Sequence, residues 1–337
     1  MRSPFERSTW THVDDQGDAI SEQYWREVGP GWLRKDSPNI NEAVDRLLDA
    51  RRPRAAFFAV HFALADLETS RLKRLLQEIG TCDAEQAGTY LMDGYHLSEG
   101  FDILQKRTGV SEEEMARLEF LFIRVLEHES HGISNLEKQL GKSPALFVQV
   151  LGLLYRRHDG GEDPPEWKVA NAEKASELAT AAYRILANFR RIPGTDDNGN
   201  IDEDALRTWI KEAQVLCAQN GRPEIGDQKI GEIISSPTVG KDGIWPREEV
   251  RKVLEECGTA QLAKGFQIGV YNSRGVHARG EGGDQERALA EKFRTWARQL
   301  AFEYPYTASV VDGIAQSYDR DAAWEDSETA VRRRLSH

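Results

Sequence analysis

The chain has 337 residues, 39% of them hydrophobic and 30% charged, with a formal net charge of −12. That length holds one large or two ordinary domains with a buried core, and the acidic balance argues against sequence-independent nucleic-acid binding. No apolar run reaches the ~18–20 residues of a membrane span, and the stretch from Met1 to Arg7 lacks the apolar core of a signal peptide, so a soluble protein of the cytoplasm is expected. Cys82, Cys217 and Cys257 lie far apart without a CxxC pair, which excludes a disulfide framework or zinc cluster and fits a reducing compartment.

Taken in order, residues 1–17 are polar and read as an arm. A helical pattern begins at Asp18, with Tyr24 and Trp25 as anchors, and Gly29-Pro30-Gly31 interrupts it. Ser37-Pro38 opens the next helix, whose stripe is Ile40, Ala43, Val44, Leu47 and Leu48. Pro53 breaks it; helices over 55–67 and 70–79 follow, then two shorter ones over 83–91 and 97–104. Ser111 caps a helix with Glu114 in capping-box position, and Met115, Leu118, Leu121, Phe122, Val125 and Leu126 form its apolar stripe. Residues 145–155 are apolar on nearly every side, which predicts a helix at the centre of the fold.

The breaker cluster over 158–166 is the best linker, separating an N-terminal layer (18–157) from a C-terminal one (167–337). Beyond it the periodicity predicts helices over 167–191 and 201–219, a short apolar segment over 229–234, and a loop over 235–245. Helices are then expected over 247–257 and 261–272, an irregular stretch over 274–283, and helices over 284–302 and 307–323. No clean repeat of fixed period is present. The expected fold class is all-α, an irregular α-solenoid or stacked antiparallel helix pairs, with very little strand.

Four stretches invite a chemical reading. The run from Thr195 to Asp202 resembles part of a calcium loop. With Gly199 as the turn glycine, however, Gly194 falls at the first ligand position and Ala205 at the twelfth, where an acid and a bidentate Glu are required. An acidic turn with Asp202 or Asp204 capping the next helix is the expectation. His128-Glu-Ser-His131 falls one residue short of HExxH, and a surface pair at a helix end is expected. Between Gly265 and Gly283 six glycines accompany Asn272, Ser273, Arg274, His277 and Arg279, a polar and basic cluster suited to a partner's carboxylate, a phosphate or another anion. It is no phosphate loop, and Ser273 with His277 lacks an identifiable acid. The runs Arg51-Arg52-Pro53-Arg54 and Arg332-Arg333-Arg334 suit helix ends. Trp25, Trp209, Trp296 and Trp324 fall at core spacing. No catalytic residue, metal ligand or cofactor is assigned.

The runs Tyr24-Trp-Arg-Glu-Val-Gly-Pro and Val44-Asp-Arg-Leu-Leu-Asp-Ala-Arg-Arg-Pro-Arg-Ala-Ala-Phe57, with Phe266 through Asn272-Ser-Arg-Gly-Val-His277, resemble the C-terminal helical region of very large bacterial proteins. Those proteins resemble multidomain defence or stress factors, whose helical regions sense or hold a partner while another domain acts. The resemblance implies a fragment of such a chain and carries no catalytic residues. The expected function is therefore a helical protein-interaction or sensor module. It would hold a protein partner at Asn272, Ser273, Arg274, His277 and Arg279. The alternative is a hydrolase or transferase with a noncontiguous site around 265–283.

Overall fold

The computed structural model describes residues 5–29, 31–81, 93–167, 171–273 and 282–335. The protein is all-α, with 17 α-helices and no named strand among the described residues. The predicted helix over 83–91 and residues 274–281 of the predicted irregular stretch lie outside them. By contact density the chain divides into two units, Met1–Gln139 and Leu140–His337.

In the first unit the helices are α1 (Arg7–Asp14), α2 (Asp18–Glu27), α3 (Ile40–Asp49), α4 (Pro53–Val60), α5 (Thr69–Thr81), α6 (Gly94–Gln105), α7 (Glu112–Leu121) and α8 (Ile123–Leu126). Helix α5 is the hub, packing on α3, α4, α6 and α7, with Leu72, Leu75 and Leu76 fully buried. The expected arm is a helix instead. Trp10 of α1 is 1% exposed, its ring meets Trp25 edge-on at 5.2 Å, and Asp14 holds Arg46 at 2.8 Å. One buried indole outweighs the polar composition around it. The predicted stripe over 115–126 is present but not continuous, because the helix breaks at Phe122 (φ −112°) before α8. Ser111 and Glu114 form the expected capping box. The Lys73 ammonium and the Ser111 amide hold the Glu114 carboxyl down at about 2.

Helix α9 (Ser134–Lys142) spans the division between the units. Its first turn is capped from a distance. The Glu119 carboxylate, 0% exposed, accepts from the Asn135 side chain at 2.6 Å and from the Leu136 amide at 2.7 Å. His131, whose side chain is 4% exposed, lies with Nε2 3.1 Å from Glu119 and Nδ1 2.8 Å from Asp102. His128 is exposed at 77%, so the expected surface pair is one surface and one buried histidine.

The second unit holds α10 (Pro144–Leu154), α11 (Ala172–Asn188), α12 (Glu203–Gln219), α13 (Pro223–Ile234), α14 (Glu248–Cys257), α15 (Ala260–Ser273), α16 (Asp284–Leu300) and α17 (Pro305–Leu335). Helix α10, expected at the centre of the whole fold, packs on α11 and α12 within this unit. The breaker cluster after it is tied in place: the His158 amide donates to Gly221 at 2.8 Å. Arg222, buried, donates to Tyr155 O at 2.7 Å and to Asp163 at 2.8 Å. A fully buried guanidinium thus anchors the stretch expected to be a linker. Neighbour pairing holds for α16 with α17, but α13 packs most extensively on α15, skipping α14. These contacts establish an all-α packing and do not establish a solenoid. The α13–α15 approach depends on glycine: a Cβ on Gly265 would strike the Gln228 carbonyl, and one on Gly231 the Leu262 carbonyl.

Two outcomes follow. Gly265→Ala should lower the stability of the second unit by about 1–3 kcal/mol through overpacking, read as a lower midpoint in urea with unchanged helicity. Burial opposes protonation of His131, and the hydrogen bonds its ring donates to Glu119 and Asp102 outweigh it, so its pKa lies above the ordinary value. The resulting stability is complete below the unfolded value of about 6.5 and is lost as pH rises through the folded pKa. Melting of the wild type should fall across that window, and His131→Gln should melt lower and more evenly with pH. Parallel curves would remove the imidazolium from the account.

Candidate functional site

The expected site residues fall at the end of α15, and the structure shows what two of them face. Asn272 and Ser273 are exposed and line a groove of about 660 Å³ in the second unit. Arg274, His277 and Arg279 lie outside the described residues. The groove is walled by the ends of α10, α11, α13 and α15, including Tyr155, Tyr183, Arg190, Lys229 and Glu232.

Local sequence explains how these groups arrive together. Pro223 starts α13 at its first turn, and the glycine contacts described above draw α15 onto it. Ser235 closes α13 by donating to Glu232 O at 2.7 Å, and Ser273 does the same at the end of α15, donating to Val270 O at 2.7 Å. On the floor, Lys229 pairs with Glu232 at 2.7 Å. At the rim, Tyr183 is 65% exposed and Arg190 is exposed. A phenol and a guanidinium are side chains that commonly anchor a bound partner.

A second cavity of about 120 Å³ shares Ser235, Pro237 and Ser273 with the groove. Its walls are aromatic: Trp245, Phe293, Trp296 and Tyr318. The Phe293 and Tyr318 rings stack at 5.6 Å, and Lys292 Nζ lies 4.8 Å over the Trp296 ring. The arrangement suits one apolar side chain with an anionic group beside it. Sequence spacing missed Tyr183, Arg190, Lys229 and Lys292, because they come from separate helices and each alone reads as helix surface. Of the tryptophans expected in the core, Trp25 and Trp209 are buried, but Trp324 is 57% exposed and Trp296 lines this cavity.

The acidic turn resembling a calcium loop is a closed backbone turn. The Asp196 amide donates to Asn200 O at 2.8 Å, and the Gly199 amide to Asp196 O at 3.2 Å. Asp202 caps α12, accepting from the Ala205 amide at 3.0 Å, as expected. The turn between α13 and α14 has the same bonds: the Gly240 amide donates to Ile244 O at 2.9 Å, and the Gly243 amide to Gly240 O at 3.0 Å. Each equivalent pair, 196 and 240, 199 and 243, 200 and 244, is offset by the same 44 positions. Gly199 (φ 81°) and Gly243 (φ 75°) both take the left-handed conformation. A helix–turn–helix is therefore built twice, which the sequence did not reveal. Among the described residues no group of three or more His, Cys, Asp or Glu side chains could hold a metal ion.

In the first unit, Trp32, Phe62 and Tyr95 are exposed at 62%, 66% and 70% around His61 and His96, whose rings lie 4.8 Å apart. The His61 Nδ1–H donates to Phe58 O at 2.7 Å.

The described thiols are inert. Burial, with Asp227 adding to it, pushes the Cys217 thiol up to about 12, and burial also raises that of Cys257. Native protein at pH 8 should therefore leave both unmodified by iodoacetamide, with labelling only after denaturation; fast native alkylation of either would show an accessible thiolate. Compared with protein-family models, curated proteins and solved structures, the chain matches none.

Proposed function

We propose that the chain is a helical protein-interaction module whose second unit holds an extended segment of a partner protein in the groove beside Asn272 and Ser273. The observation that carries this reading is the union of that groove with the aromatic cavity through Ser235, Pro237 and Ser273. The groove offers polar groups for a peptide backbone, among them Asn272, Ser273 and Ser236, beside apolar ones such as Leu186 and Ile233, and the cavity takes one apolar side chain.

Charge selects the occupant. Arg190, Lys229 and Lys292 line the two cavities against the single carboxylate of Glu232. Lys292 has no ion pair among the described residues. Arg274 and Arg279 follow Ser273 in sequence, outside the described residues. On a chain of net charge −12 this is a local basic surface, and an acidic segment with one apolar anchor complements it. The sequence resemblance adds a setting, a larger bacterial defence protein in which such a module senses a partner.

A random peptide library selected on the full chain tests the proposal. Enriched peptides should share an acidic residue near a large apolar one. Binding should fall about tenfold or more in Arg190→Glu and in Ser273→Trp, which fills the junction of the two cavities, with melting unchanged. Absence of enrichment, or equal binding by both variants, would sink the reading.

A further inference from the structure

The two equivalent turns differ from a metal loop in one informative way. In loop-type calcium sites a side-chain oxygen at the fifth position and a backbone carbonyl at the seventh face the ion, and glycine at the sixth makes the sharp turn between them. Counting Gly243 as the sixth places Asp242 at the fifth and Ile244 at the seventh. Both aim at Arg251. Its Nη1 donates to Asp242 Oδ2 at 2.6 Å and its Nη2 to Asp242 Oδ1 at 3.0 Å. Nη2 also reaches Ile244 O at 2.5 Å, and Nε reaches Pro246 O at 2.6 Å. The Arg251 residue is 2% exposed.

We propose that the turn between α13 and α14 is a cation site whose resident cation is the Arg251 guanidinium, so that the turn is set without a divalent metal. A guanidinium stays protonated inside proteins, and its planar fork matches a carboxylate with two donors while others reach carbonyls. It brings one positive charge to one carboxylate and donors to the carbonyls beside it. The Asp242 carboxyl is held below its usual range by that hydrogen bond.

The first turn is closed by the same means from other directions. The residue equivalent to Arg251 is Arg207, which pairs with Glu203, Asp204 and Glu256 instead. The carbonyls of Thr195 and Asp196 accept from Arg191 at 2.5 and 3.1 Å. That of Gly199 accepts from Arg247 at 2.8 Å, reaching across from the second turn. Arginine thus serves both turns and links them. Helices α11 and α13, which wall the groove, lead into these turns.

Terbium luminescence on the full chain tests the assignment, because Trp245 adjoins Ile244 and sensitises an ion bound there. The wild type should give no saturable signal, and its melting should be the same in excess calcium and in chelator. Arg251→Ala should acquire a saturable signal. That signal should be displaced by methylguanidinium and lost again in Arg251→Ala/Asp242→Asn. Saturable, calcium-competed binding to the wild type would overturn the proposal. So would a folded Arg251→Ala that takes up neither terbium nor methylguanidinium. Where Arg251→Ala does not fold, Asp242→Asn decides: melting several degrees below wild type is expected, and unchanged melting overturns the assignment.

Discussion

A fold made of many short helices has many helix ends and turns, and each helix C-terminus leaves carbonyls without an intrahelical partner. In this protein the recurring answer is the arginine side chain. Arg52 donates to Trp25 O at 3.0 Å and Val28 O at 2.9 Å after α2. Arg107 donates to Leu67 O at 2.6 Å and Ala65 O at 2.7 Å. Arg222 serves Tyr155 O and Asn220 O, and Arg251 serves Ile244 O and Pro246 O. Five donors on a rigid plane let one side chain satisfy two or three carbonyls, which a lysine point charge does less well. Removing such a group leaves buried acceptors unmet, and truncating one partner of a buried pair costs about 3–5 kcal/mol.

The same constraint shapes the groove. Arg222 ties the stretch after α10 to the turn before α13, which sets Tyr155 at the groove edge. Glycines bring α15 onto α13 at backbone distance, and Asn272 and Ser273 then lie beside Lys229 and Glu232. The groove and the aromatic cavity meet at Ser235 and Ser273 as a result of this packing. The Ser235 and Ser273 hydroxyls there are bonded to carbonyls of their own helices, and the Tyr183 phenol and Arg190 guanidinium are exposed along the groove.

In the first unit, charge is used differently. The Glu119 carboxylate is buried, and Asn135, Leu136 and His131 surround it. It caps α9 from α7, a carboxylate at a helix N-terminus where the dipole favours it. Across the surface several arginines pair with acids within one helix turn, for example Arg46 with Glu42 and Arg117 with Glu113. Such exposed pairs contribute little each, so the unit rests on the α5 hub and the buried Trp10–Trp25 contact.

Local pattern was enough to read the all-α class, the Ser111–Glu114 box, the Asp202 cap, and the apolar faces of α3 and α12, because each depends on residues within a few positions of one another. Asn272 and Ser273 stood out in the sequence only as polar residues in a glycine-rich run; the groove they line did not. What lay beyond sequence was everything set by distant partners. Trp10 turns a polar arm into a helix only because Trp25 receives it. The tyrosine and lysine lining of the groove, and the tryptophans of the cavity beside it, come from segments separated by dozens of residues. The duplicated turn hides because backbone hydrogen bonds, not side-chain identity, are what repeat. Periodicity along one helix determines which face is buried; which face meets it was decided by tertiary packing alone.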